Sequence, residues 1–239
     1  MELDEHTLNK LEEMQNCLYR SLLNVPHTTP KAALLWEVGG MMMKFRIMMN
    51  KFIFVNHILN LDDNTLAKQI LTTQINEDLP GLKREIGEFV LELGLPNCLT
   101  NRIQKNSWKH LVKQAVNKAN EKELRMKMES YKKVDKEVLQ DEKFGLKPYI
   151  TNLSLDKART LFKHKYAMTE HVKMNYKGNP SYDRTLWKCN HCSNQDSESH
   201  ILWCSEYEDM RKDLDLGKDI DLCSYLHKVF KLRSEESTK

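Results

Sequence analysis

Three cysteines and a histidine late in the chain have the spacing of a metal site: Cys189, Cys192, His200 and Cys204, in the pattern C-x2-C-x7-H-x3-C. Two cysteines separated by two residues fit a tight turn that aims both sulfurs at one point. A histidine and a cysteine at i and i+4 lie on the same side of a helix. Three thiolates and an imidazole close a tetrahedron around Zn²⁺, which favours this sulfur and nitrogen set. With every position taken by protein, such a site is structural and holds one ion. His191 is an alternative ligand, but it lies inside the Cys189–Cys192 turn, where it more naturally points outward, so His200 is the expected fourth ligand. Asn194–Ser197 supplies the turn, and Glu198 or Ser199 starts the helix that carries His200 and Cys204. Trp187 and Trp203 flank the cluster and are expected to pack against it. The other three of the six cysteines, Cys17, Cys98 and Cys223, sit on or beside apolar faces and read as small core residues.

Other chemistry is missing from the sequence. There is no phosphate-binding glycine loop, no G-x-S-x-G and no H-E-x-x-H. The acidic pairs Asp62/Asp63 and Asp141/Glu142 fall at helix ends, where capping or solvation accounts for them. No catalytic residue is assigned and no small-molecule substrate is expected. The expectation is a protein that is not an enzyme.

The charge layout points elsewhere. The net charge is only +3, yet residues 101–180 carry 19 basic and 9 acidic side chains, while the segments before and after are acidic. A block at +10 suits a polyanion, and nucleic acid is the obvious one. The candidate phosphate contacts are Lys105, Lys109, Lys113, Lys127, Lys132, Lys133, Lys136, Arg159, Lys163 and Lys165.

The elements that must position these groups are helical. Glycine and proline together make only 14 of 239 residues, which disfavours hairpins, sandwiches and barrels. Apolar residues at three-to-four spacing predict helices over 3–24 and 41–60, from Asn64 or Thr65 to Asn76, and over 82–93. Val25-Pro26 is expected to end the first, and Thr28/Thr29 to cap a short helix after it. A long helix is expected from Asn106/Ser107 to about Gln140, with an apolar stripe through Trp108, Val112, Ala115 and Ala119 that weakens at Asn120–Glu123. Asn152 or Ser154 caps another helix, and Asp219–Arg233 forms the last, followed by a frayed polar tail. Met41–Leu59 holds five of the twelve methionines and reads as core, with a partner groove as the other use. No apolar stretch approaches the ~20 residues of a membrane span. The acidic, amphipathic N-terminus has no signal-peptide character, so an intracellular protein with reduced thiols is expected.

Three stretches resemble the C-terminal part of reverse transcriptases from non-LTR retrotransposons. LNKLEEMQNCLYRSLLNVPHTTPKAALLWEVGG (Leu8–Gly40) is similar to the segment around the polymerase thumb, with its T-P-x-x-A-L turn. SWKHLVKQAVNKAN (Ser107–Asn120) resembles the linker helices that follow. LWKCNHCSNQDSESHILWCSEYEDMRKDLDL (Leu186–Leu216) resembles the zinc knuckle, with its E-S-H-I-L-x-C and Y-x-x-x-R cadence. The Tyr-x-Asp-Asp turn of the family's polymerase palm is missing from this sequence, as is its endonuclease. The resemblance implies a truncated remnant that keeps a template-gripping tail without the catalytic palm.

The expected architecture is all-α: an irregular multi-helix assembly with one long basic helix and a small C-terminal zinc-knuckle module. Its expected divisions are a thumb-like region at 1–96, basic linker helices at 97–180 and the knuckle with its last helix at 181–239. The expected function is RNA or DNA backbone binding. The alternative is a zinc-stapled helical protein-interaction module using Met41–Leu59.

Overall fold

A computed structural model describes residues 4–77, 82–99, 103–131, 143–166, 168–169 and 188–237. Among these residues the fold is all-α, with no strand and two isolated antiparallel bridges. The helices are α1 Glu5–Leu23, α2 Lys31–Glu37, α3 Met43–Leu59, α4 Leu66–Asn76, α5 Leu82–Leu93, α6 Lys105–Glu129, α7 Pro148–Asn152, α8 Leu155–Lys165, α9 Glu198–Trp203, α10 Glu208–Arg211 and α11 Asp219–Ser237. The chain divides into two compact units. One comprises Met1–Cys17 and Gly39–Lys127; the other comprises Leu18–Val38 and Met128–Lys239. The units interleave along the sequence, so they cut it differently from the three consecutive segments at 1–96, 97–180 and 181–239.

Unit one is organised by α3 and α6. Phe45, Met48, Phe52 and Val55 recur at heptad-like spacing on α3 and are buried, as is Met42 before it. The other large apolar side chains of Met41–Leu59 are half-buried, except Phe54, which is broadly exposed. Trp108 of α6 lies edge-on to Phe52, with ring centroids 6.1 Å apart, and its indole N–H donates to the Phe52 carbonyl at 2.9 Å. The buried row of α6 runs Trp108, Val112, Val116, Asn120, Leu124 and Met128, a spacing of four throughout. A helix turns every 3.6 residues, so this row winds around the rod and passes through 116, 120 and 124 rather than the expected Ala115 and Ala119.

Asn120, where the apolar pattern weakens, is a buried connector. Its Oδ1 accepts the backbone N–H of Met42 at 3.0 Å, and its Nδ2 donates to the Gly40 carbonyl at 3.2 Å. Met42 is the N-cap residue of α3, so Asn120 supplies from another helix the acceptor for its N–H that a Glu or Gln in the first turn supplies in a capping box. Ion pairs Lys44–Glu123 and Lys51–Glu85 fasten α3 to α6 and α5.

The helix ends follow backbone chemistry. α1 stops in a Schellman motif at Asn24 (φ 48°), where Val25 N–H donates to the Arg20 carbonyl and Asn24 N–H to Ser21. Gly94 (φ 62°) closes α5 in the same way. Thr28 and Thr29 do not cap α2: the capping residue is Pro30, with no side-chain bond. α6 starts at Lys105, just before the expected cap, and ends at Glu129. Tyr131 N–H reaches back only three residues, to Met128, which marks the closing turn. The expected continuation to Gln140 lies outside the described residues. α11 runs on through the expected tail to Ser237.

Unit two has a polar buried hub that no local pattern announces. Glu37, the last residue of α2, is completely buried. Its carboxylate accepts from the Tyr149 hydroxyl at 2.6 Å, the Tyr166 hydroxyl at 2.5 Å and the Lys165 ammonium at 2.6 Å. Its carbonyl accepts the Lys147 N–H at 3.0 Å, beside the bridge between Val38 and Leu146. One side chain thus ties α2 to α7 and α8. α8 in turn packs on α11, with Ala158, Leu161 and Phe162 buried on one helix and Cys223, Leu226 and Val229 on the other. The Tyr225 hydroxyl of α11 donates to the Ile201 carbonyl of α9, which anchors the segment that carries the metal ligands.

Candidate metal centre

The knuckle is a short two-armed turn. Cys189 N–H donates to the Asn194 carbonyl at 2.7 Å, Ser193 N–H donates to the Cys189 carbonyl at 3.1 Å, and Lys188 and Gln195 form a bridge beyond them. Ser193 takes the left-handed conformation (φ 62°), which bends the chain sharply after the second cysteine. Ser197 caps α9, its hydroxyl accepting the His200 N–H at 3.0 Å. α9 begins at Glu198, as expected, and carries His200. Cys204 is the residue that ends it, in extended conformation, so its sulfur is delivered from the C-cap.

These elements bring Cys189, Cys192, His200 and Cys204 together, with all four ligand atoms within 4.8 Å of one another, and the group could hold one metal ion. Cys192 Sγ lies 3.2 Å from His200 Nε2 and 3.7 Å from Cys204 Sγ. A tetrahedron with metal–sulfur bonds of 2.3 Å has edges of about 3.8 Å between sulfurs and about 3.5 Å from sulfur to imidazole nitrogen. Those two separations are close to that size, and the full spread of 4.8 Å is about an ångström wider than a closed tetrahedron. Cys189 and Cys204 are buried, while Cys192 and His200 are half-buried. His191 is not a member: its ring meets Tyr207 edge-on at 5.4 Å between centroids.

The electrostatics suit a cation. Burial pushes the Cys204 thiol up to about 11, and the neighbouring thiols push in the same direction. Burial acts against ionisation at Cys192 as well, but the Asn194 N–H and the surrounding thiols outweigh it and lower that thiol. Burial lowers His200, with Asp196 opposing and Arg233 reinforcing, which keeps the imidazole in the neutral form that binds metals. Without a cation, three thiolates this close together would repel each other strongly. A divalent ion removes the repulsion and displaces the protons.

The layer around the ligands escaped the sequence reading. Arg233 of α11 pairs with buried Asp196 at 2.9 Å and donates to the Tyr207 hydroxyl at 2.9 Å. Glu198 accepts from the Thr169 hydroxyl at 2.6 Å and lies 3.9 Å from the buried His164 imidazole. Tyr207 had a signal in the Y-x-x-x-R cadence after Cys204, whereas Arg233 had none. Trp203 departs from expectation. It is 73% exposed and does not pack over the cluster, because α9 turns it outward. Trp187 lies outside the described residues. Cys98 and Cys223 are buried as expected, with the Cys98 thiol raised to about 11 by burial, but Cys17 is exposed on α1.

The candidate phosphate contacts fall into three groups. Lys105, Lys109 and Lys113 are exposed in one row of α6, and Lys118 and Lys122 continue in the adjacent row; none of the five is in an ion pair with a described residue. Lys127 is exposed but paired with Glu123 at 2.9 Å. On α8, Lys163 is half-buried, Arg159 donates to the Leu22 carbonyl and to Asp156, and Lys165 is held by Glu37. Arg159 and Lys165 thus have structural partners that a phosphate would have to displace. Lys132, Lys133 and Lys136 lie outside the described residues. No helix of the described residues is long and apolar enough to cross a membrane.

Comparison with protein-family models, with curated proteins and with solved structures finds no match for this chain.

Proposed function

We propose that these residues form a non-catalytic nucleic-acid-binding region akin to the C-terminal part of a non-LTR retroelement reverse transcriptase. It grips the phosphate backbone through lysines of its basic helices and is stapled in unit two by one structural Zn²⁺ at Cys189, Cys192, His200 and Cys204. The observation that carries the binding reading is the pair of exposed lysine rows on α6, Lys105, Lys109 and Lys113, then Lys118 and Lys122, which form no ion pair with a described residue. Lysines without carboxylate partners keep their full charge for phosphates, and contacts of this kind position a protein without reading base sequence. Zinc is the natural occupant of a closed set of three thiolates and one imidazole. Exposed Trp203 beside the centre offers an indole on which an unpaired base can stack. The rival reading, a protein-interaction module with its groove at Met41–Leu59, is weakened because Met42, Phe45, Met48, Phe52 and Val55 are spent on the core.

The test is binding to labelled RNA and DNA, single-stranded and duplex, across a range of salt. Neutralising five phosphates on a duplex gives a slope of log affinity against log salt of about −4.5. Reversing Lys105, Lys109 and Lys113 to Glu should flatten that slope by roughly 3. Trp203→Ala should cost about 1–3 kcal/mol on single strands and little on duplexes. A flat salt response in the wild-type protein would refute the proposal.

A further inference from the structure

Arg233 belongs to the last helix, yet its guanidinium touches Cys189, the loop before α9 and the turn after Cys204. Nη1 donates to Oδ2 of Asp196 at 3.0 Å and lies 2.9 Å from Oδ1 as an ion pair, in the loop between the knuckle and α9. Nε donates at 2.9 Å to the hydroxyl of Tyr207, in the turn after Cys204, and the guanidinium carbon lies 5.4 Å from the centre of that ring. Nη2 points at the sulfur of Cys189 from 3.9 Å. The Arg233 and Asp196 side chains are 10% and 2% exposed, so the arrangement is sheltered from solvent.

We propose that Arg233 is a positioning residue of the metal centre, tuning the Cys189 thiolate through an N–H···S contact and fixing the distance between the knuckle and α9. The inference rests on the four-ligand reading of the site. Three thiolates and a neutral imidazole around a divalent ion leave one net negative charge. A donor aimed at one sulfur draws off part of that charge and stabilises the ligated thiolate. Asp196 keeps the guanidinium plane aimed; a lysine at this position could neutralise Asp196 but could not bond Asp196, Tyr207 and Cys189 at once. The last helix thereby becomes part of the metal site, although it supplies no ligand.

The experiment titrates the full chain with Co²⁺, an optical stand-in for zinc, in competition with a chelator of known affinity. It compares the wild type with Arg233→Met and Arg233→Lys and follows helix content by circular dichroism. Loss of an outer hydrogen bond to a ligand typically weakens metal binding 10–100-fold. Arg233→Met is expected to bind Co²⁺ more weakly by about that factor. Its thiolate-to-cobalt charge-transfer band should move to longer wavelength, because a sulfur without its donor gives up an electron more easily. A purely architectural arginine would change stability and leave the band where it is. Arg233→Lys is expected to keep the helices and still show the shifted band, so it decides the matter if Arg233→Met does not fold. Wild-type affinity and an unmoved band in a folded variant would overturn the assignment. A wild-type protein that takes up no cobalt would overturn the four-ligand site, and this assignment with it.

Discussion

Removing the Glu37 carboxylate should be among the most damaging single changes in unit two. The side chain is completely buried and accepts two tyrosine hydroxyls and a lysine ammonium, all at 2.5–2.6 Å. Glu37→Ala removes the buried carboxylate shared by the Tyr149 and Tyr166 hydroxyls and the Lys165 ammonium. Breaking a buried charge pair from one side costs about 3–5 kcal/mol. A domain has only about 5–15 kcal/mol to lose, so the variant should approach the limit of folding. Glu37→Gln keeps the shape and one acceptor oxygen, so the loss should fall to about 1.5–3 kcal/mol, the worth of hydrogen bonds to a charged group. Tyr149→Phe removes one donor and leaves the other two, and should cost about 1–2 kcal/mol. The assay is urea unfolding followed by both circular dichroism and tryptophan fluorescence, since Trp36 is buried next to Glu37. The expected order of loss is Ala, then Gln, then Phe. A Glu37→Ala variant within about 0.5 kcal/mol of wild type would place it among ordinary surface changes and refute the hub.

Two further outcomes follow from buried polar groups. Asn120→Ala should destabilise unit one by about 2–3 kcal/mol, because the Met42 N–H and Gly40 carbonyl both lose their partner; Asn120→Leu, apolar and of similar size, should not rescue it in urea unfolding. His164 is buried and its imidazole is pushed down to about 4 by desolvation. A depressed histidine favours the folded state above its unfolded value near 6.5, and that advantage is lost as pH falls from there toward 4. Wild type should therefore lose about 2–3 kcal/mol relative to His164→Gln over that interval, measured by unfolding at stepped pH. Parallel stability curves for the two proteins would contradict the buried neutral state.

The helices were legible where periodicity and chain stops agree. α3 and α5 fall where apolar spacing puts them, and Gly94 ends α5 because its backbone needs the left-handed region. α6 was legible as a helix but not in its register. Its buried row keeps a spacing of four and passes through a polar residue, Asn120, whose value lies in the Met42 N–H it satisfies. The metal ligands were legible because the chemistry is local: the turn and the helix that carry all four lie between residues 189 and 204. Glu37 and Arg233 were not, because their partners lie more than a hundred and some forty residues away along the chain, respectively, and are set by tertiary packing. The outward face of Trp203 was not legible because an aromatic beside a cluster can face either way, and the helix phase of α9 turns it to solvent.

The central claim is a closed metal centre, and its most direct test is elemental analysis of protein purified without added metal, beside a Cys189→Ser/Cys192→Ser double variant. The expected result is one zinc per chain in the wild type and none in the variant, with a thiol titration showing three fewer reactive cysteines while the metal is in place. A wild-type protein that carries no metal, yet keeps its helices and leaves Cys192 freely reactive, would contradict the account.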